Sequence, residues 1–123
     1  MAADPAEETV VVGVPAERAF AAWSHFADLP RFVPGVHAVD QRDPITMRWL
    51  VEADGGTRWL AVEVARSEPP DSVTWSCPEA PEYGGTARFQ RLTNSTAAVV
   101  LTGGGSRAKE ALARFKEFVE AAA

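Results

Sequence analysis

The chain has 123 residues, enough for one domain with a sizeable core, and no second domain or internal repeat is visible in residues 1–123. At 46% hydrophobic, 9% aromatic and 24% charged it reads as globular, not disordered or fibrous. With 12 basic against 17 acidic residues the net charge is −5, which argues against a nucleic-acid binder, whose surface would carry a basic stripe.

No apolar run approaches the ~20 residues of a membrane-spanning helix. The N-terminus, MAADPAEE, has neither a basic start nor an apolar core, so no signal peptide is expected, and residues 1–6 read as a frayed tail. The single cysteine, Cys77, excludes an internal disulfide, and a cytoplasmic location is expected.

The β-branched run from Thr9 to Val14 is expected to be the first strand. Pro15 then opens a helix, with Glu17 near the positive end of its dipole. Phe20, Trp23 and Ala27, flanked by Ala19 and Phe26, form its apolar side, and Pro30 is expected to end it. Leu29 to Val36, broken by two prolines and a glycine, reads as a helical turn or structured loop.

Six strands are expected next. Val36 to Gln41 leads into the Asp43-Pro44 turn, and Ile45 to Ala53 places Met47, Trp49 and Val51 on one face. Asp54-Gly55-Gly56 signals a hairpin. Arg58 to Arg66 has Leu60, Val62 and Val64 on one side and Trp59, Ala61 and Glu63 on the other, so its core face is ambiguous. Val73, Trp75 and Cys77 alternate after the Pro69-Pro70-Asp71-Ser72 turn. A loop from Pro78 to Gly85 precedes Thr86 to Leu92, which carries Ala87, Phe89 and Arg91 on one face. Thr96 to Thr102 is the last strand.

Ser106 to Ala122 closes the chain as an amphipathic helix. Ala108, Ala111, Leu112, Phe115, Phe118 and Val119 form its stripe, and Ser106 is its expected N-cap. Gly103 to Gly105 read as a flexible connector. A sheet with one apolar face needs a cover, and this helix is the long candidate. The expected fold class is therefore α+β, a curved antiparallel sheet of about seven strands wrapped around a C-terminal helix.

Several stretches resemble the START-like, or helix-grip, superfamily, and within it the bacterial polyketide cyclase/dehydrase-like and coenzyme Q-binding-like proteins. They are Val14 to Phe20, Trp23, Phe26 to Val36, Val73-Thr74-Trp75, Phe89 to Leu92 and Arg114 to Val119. These are packing and turn residues, so the resemblance speaks for fold more than for chemistry. It implies an apolar cavity between sheet and C-terminal helix that takes a small hydrophobic molecule such as a lipid, quinone or polyketide. The chain departs from the family in the short connection Gly103 to Ser106 and in a shorter last helix.

Three functional readings follow from the resemblance: a carrier of a ring-containing hydrophobic ligand, a cofactor-free cyclase, aromatase or dehydrase, and an interaction module with a vestigial cavity. The cavity-lining candidates are Trp23, Phe26, Phe32, Trp49, Val51, Trp59, Trp75, Phe89 and Phe115; plain core packing is the alternative for each. For catalysis the candidates are Arg91, Glu63 and Tyr83. An inward Arg91 would hold a carboxylate or enolate oxygen, and an inward Glu63 would be an acid of raised pKa. Both are expected to face solvent instead. Tyr83 would gate the pocket mouth or cover an edge. His25 and His37 are expected in surface or capping roles, and Cys77 in packing. Two histidines and one cysteine without a ligand cluster predict no metal site, and no phosphate-binding loop or cofactor signature is present. The expected partner is a small hydrophobic molecule; nothing in the sequence points to an oligomeric state.

Overall fold

The computed structural model of the protein describes residues 7–53, 55–103 and 107–121. Its elements run β1 (Glu7–Val12), α1 (Ala16–Ser24), β2 (Val36–Gln41), β3 (Thr46–Ala53), β4 (Gly56–Glu68), β5 (Ser72–Ser76), β6 (Gly85–Thr93), β7 (Thr96–Gly103) and α2 (Ala108–Ala121). Short 3-10 helices span Phe26–Arg31 and Pro81–Tyr83. The strands form one antiparallel sheet in the order β1-β7-β6-β5-β4-β3-β2. From β2 to β7 the chain meanders, each strand pairing with the next, while β1 pairs with β7 at the far edge. The expected α+β helix-grip architecture is the one observed.

Alternation sets the core. Met47, Trp49 and Val51 of β3, Leu60 and Val62 of β4, Val73 and Trp75 of β5, Ala87 and Phe89 of β6, and Val99 and Leu101 of β7 are all at most 6% exposed. They form one cluster with Leu112, Phe115 and Val119 of α2. Pairing of Trp49 with Leu60, and of Leu50 with Trp59, resolves the ambiguity of β4: the Leu60 side is the concave one. Trp59 therefore stands on the convex face, 44% exposed, beneath the Arg48 guanidinium 5.5 Å from its ring.

The helical region between β1 and β2 differs from expectation. α1 ends at Ser24, not at Pro30, because His25 leaves helical angles, and Pro30 lies inside the 3-10 helix that follows. Spacing explains the break. Trp23, Phe26, Leu29 and Phe32 recur every third residue and are each at most 2% exposed. The 3-10 helix, with three residues per turn, keeps Phe26 and Leu29 on one face, and Trp23 just before it and Phe32 just after it are buried alongside.

α2 spans 14 residues, roughly 21 Å at 1.5 Å per residue. It is fastened to the β1 edge by polar contacts. Lys116 donates to the Val11 carbonyl at 3.1 Å and to Glu120 at 2.6 Å, and Glu120 accepts from the Gly13 N–H at 2.7 Å. The expected N-cap Ser106, the connector residues Gly104 and Gly105, the tail 1–6 and the turn residue Asp54 lie outside the described residues. Gly103 is no loose connector. It ends β7 opposite Gly85 at φ +92°, and a Cβ there would lie 2.9 Å from the Gly84 carbonyl.

Candidate functional site

Between the sheet and the first turns of α2 lies a cavity lined by Trp23 of α1, Leu29 and Val33, Trp49 of β3, Trp75 of β5, Leu101 of β7, and Ala108 and Ala111 of α2. Small residues on α2 at 108 and 111 leave this room, where the larger Leu112 and Phe115 fill the core beside it. The space that a water-sized molecule can occupy there is about 30 Å³, room for one or two waters.

Its mouth is formed by Tyr83, Glu82 and Arg107. The loop that presents Tyr83 is tied down on three sides. The Trp75 indole N–H donates to the Tyr83 carbonyl at 2.8 Å. The Tyr83 hydroxyl donates to the Glu52 carbonyl at 3.2 Å and accepts from the Arg107 guanidinium at 2.8 Å. The guanidinium also lies 4.3 Å over the Tyr83 ring and beside Gly35, where a Cβ would come within 3.2 Å of its Nε. Arg107 thus joins the start of α2 to the Pro81–Tyr83 helix and to the Gly35 turn.

Polar groups inside are few. Among the described residues, the indole N–H groups of Trp23 and Trp49 and the hydroxyl of Ser24 are buried in the protein without a hydrogen-bond partner. No charged side chain is buried among these residues.

The sequence-derived candidates divide into three groups. Trp23, Trp49, Trp75 and Tyr83 line the cavity or its mouth. Phe32 and Phe115 are fully buried behind it, each with its ring centroid 5.0–5.2 Å from its neighbours: Phe115 touches Trp23 and Phe32, and Phe32 touches Trp23. Phe26, Val51 and Phe89 are likewise core; Phe26 packs edge-on against Trp75, and Phe89 against Phe20. Trp59, Glu63 and Arg91 are outside. Trp59 and Glu63 share the convex face of β4, and Arg91 sits exposed at the far end of β6, bonded to Asn94. Glu63 and Arg91 therefore face solvent, the orientation expected of them, whereas the placement of Trp59 in the cavity is corrected: alternation along β4 puts its ring on the convex face.

Arg107 and Glu82 were not among the candidates. On a helical wheel Arg107 reads as surface decoration, and only the fold brings it to Tyr83, 24 positions earlier in the chain. Both histidines are at the surface, His25 bonded to Asp28 at 2.8 Å and His37 3.4 Å from Glu52. Cys77 is 2% exposed, and burial pushes its thiol above the ordinary value, which suits packing and not nucleophilic attack. Among the described residues no group of His, Cys, Asp and Glu is placed to hold a metal ion, and no helix is long and apolar enough to cross a membrane.

A seven-stranded antiparallel sheet gripping a C-terminal helix over an apolar cavity defines a START-like protein. The chain belongs to the family described as polyketide cyclase/dehydrase and lipid transport, whose sequence profile matches residues 12–118. It is 31% identical over 97 residues to an uncharacterised 17.2 kDa protein of Streptomyces lincolnensis; the match takes in 77% of this chain and 64% of that protein's length. A solved structure from Deinococcus radiodurans superimposes with a TM-score of 0.74 at 26% identity, covering 95% of this chain and 97% of that one. A START superfamily protein of Mycobacterium smegmatis gives 0.70 at 16% identity, covering 98% and 97%. The di-domain ARO/CYC BexL from the BE-7585A biosynthetic pathway gives 0.73 at 21% identity, covering 96% of this chain and 47% of that one.

Proposed function

We propose that the protein binds a small, hydrophobic, ring-containing molecule in the cavity between the sheet and α2, with Tyr83 and Arg107 at the entrance. The observation that carries this reading is the composition of the cavity: three indoles and aliphatic or alanine side chains, with polar side chains gathered at one mouth. Aromatic and apolar walls with few polar groups are what small-molecule sites have in common. A ligand of about 12 non-hydrogen atoms at roughly 0.5 kcal/mol per atom would bind with about 6 kcal/mol, in the tens of micromolar. This space is smaller than such a ring, so binding requires the cavity to widen, and the Arg107–Tyr83 contact is the one that parts.

Binding is favoured over catalysis by the fate of the nominated acids and bases. Glu63 and Arg91 face solvent, and the Tyr83 hydroxyl proton is already given to the Glu52 carbonyl. A general acid or base has to lie within hydrogen-bond reach of the reacting atom with its proton available. The test is a titration with quinones, flavonoids and aromatic polyketides, following tryptophan fluorescence. Saturable quenching that survives Arg91→Ala and is lost in Trp49→Ala supports the reading. Absence of saturable binding across the panel would point to an interaction module, and turnover abolished by Tyr83→Phe would make the protein an enzyme.

A further inference from the structure

We infer that the exposed end of β4, residues 65–68, is a docking edge for a second copy of this chain. Two β4 ends pair antiparallel about a twofold axis at Ser67, which sets Arg66 of each copy opposite Glu68 of the other. This contact is separate from the cavity and does not depend on its ligand.

The strand lengths leave this edge open. β4 has 13 residues and β3 only eight. β3 pairs with β4 as far as Glu63, and one further bond, from the Val64 N–H to the Ile45 carbonyl, ends the contact. Residues 65–68 continue along β5 on one side, while among the described residues no strand lies on the other. All four are exposed, and a groove lined by Pro44, Ile45, Val64, Ser67 and Val73 opens beside them. The outer strands are better guarded. Lys116 and Glu120 of α2 hold the Val11 carbonyl and the Gly13 N–H at the β1 edge, and the 3-10 helix Phe26–Arg31 lies against β2. An unpaired strand edge is a template for another strand unless something blocks it.

Charge complementarity identifies the occupant. Charges on a free edge usually keep copies apart, because like meets like. Here the signs alternate about an uncharged centre. With Ser67 opposite Ser67, residue 66 of each copy faces residue 68 of the other on the same side of the sheet, so both contacts join a guanidinium to a carboxylate. An axis at Arg66 or at Glu68 would set like against like. Within one chain Arg66 and Glu68 meet at 3.1 Å, both exposed, so docking exchanges one ion pair for another and the charges fix the register. Affinity comes from backbone bonds and apolar surface. The same register sets Pro70 of the second copy opposite Val64, hence against Ile45, which is 55% exposed. Three paired residues from each copy and this contact bury less than a standard interface, so the dimer is weak, with a Kd of about 0.1–1 mM.

The test is NMR on the full chain as its concentration is raised from about 20 µM to about 1 mM, a range that brackets this affinity. In wild type the rotational correlation time should rise toward that of a dimer, and the amide signals of Ile45 and residues 66–68 should move along the same curve. Arg66→Glu alone and Glu68→Arg alone should each stay monomeric, because each copy then presents two charges of one sign. An equimolar mixture of these two variants should associate at least as tightly as wild type, since carboxylates on one chain then meet guanidinium groups on the other. That recovery separates a contact between chains from the ion pair within one strand, which both single variants lack. Wild-type protein that stays monomeric up to about 1 mM would overturn the inference. So would single variants that associate as wild type does, a mixture that does not associate, or concentration-dependent shifts confined to β1 or β2.

Discussion

Phe115 is the residue on which the grip of sheet on helix turns, and truncating it gives a number that the structure fixes within limits. Its ring is fully buried, 5.0 Å from the ring centroids of both Trp23 and Phe32. Phe115→Ala loses the transfer free energy of the ring, about 2–3 kcal/mol. It also leaves up to ~100 Å³ of space, worth at most about 2.4 kcal/mol at 24 cal/mol per Å³ if nothing collapses into it. The expected cost is therefore about 3–5 kcal/mol. With an unfolding entropy near 2.1 cal/mol/K per residue over 123 residues, the loss corresponds to a fall in Tm of roughly 12–20 °C. Phe118, on the same helix but only partly buried and in ring contact with Phe32, is the matched control and should cost clearly less. Urea denaturation with both variants checks the difference. A Phe115→Ala midpoint equal to that of wild type, or to that of Phe118→Ala, would refute the placement of α2 on the concave face.

Three further outcomes are expected. Gly103→Ala should lower stability by about 1–2 kcal/mol from its left-handed backbone alone, and by more because its Cβ meets the Gly84 carbonyl. Gly55→Ala, at φ +82° with nothing within 4 Å, should show only the backbone part, so equal melting shifts would refute the close approach of β7 to the Gly84 loop. The Glu120 carboxyl is held below its ordinary value first by the Lys116 hydrogen bond and then by the Gly13 N–H. Its stabilisation is present above the ordinary glutamate range and is lost as pH falls through the depressed value, so the Tm difference between wild type and Glu120→Gln should shrink on acidification; a difference constant with pH would contradict the bond. Trp59→Ala should leave ligand binding unchanged in the fluorescence titration, because that ring stands on the convex face.

What the sequence reveals here depends on how local the determining interaction is. Alternation in β3, β5, β6 and β7 and the Pro- and Gly-rich turns between them were enough to place those strands within a residue or two, because each signal lies inside its own segment. The turn after β2 is of the same kind. The Asp43 carboxylate accepts from the N–H groups of Ile45 and Thr46 and from the Thr46 hydroxyl, a short-range arrangement readable from Asp-Pro-x-Thr. The break at His25 was hidden because Trp23 and Ala27 fit an α-helical stripe as well, and only the need to bury Phe26, Leu29 and Phe32 together selects the 3-10 form. On β4 two equally periodic faces competed, and cross-strand pairing with β3 decided between them. The site was half legible. Its indoles could be nominated from composition, whereas Arg107 and its contacts with Tyr83 and Gly35 are long-range and leave no mark in either segment.

The central claim is that a ring compound binds among Trp23, Trp49 and Trp75, under Tyr83 and Arg107. The protein has four tryptophans, so its nitrogen-proton NMR spectrum holds four indole signals, each assignable by a Trp→Phe substitution. Titration with a panel compound that quenches the tryptophan fluorescence should move the Trp23, Trp49 and Trp75 signals progressively to saturation and leave that of Trp59 in place. Saturable movement of the Trp59 signal with Trp23 and Trp49 unmoved would place the ligand on the convex face and contradict the account.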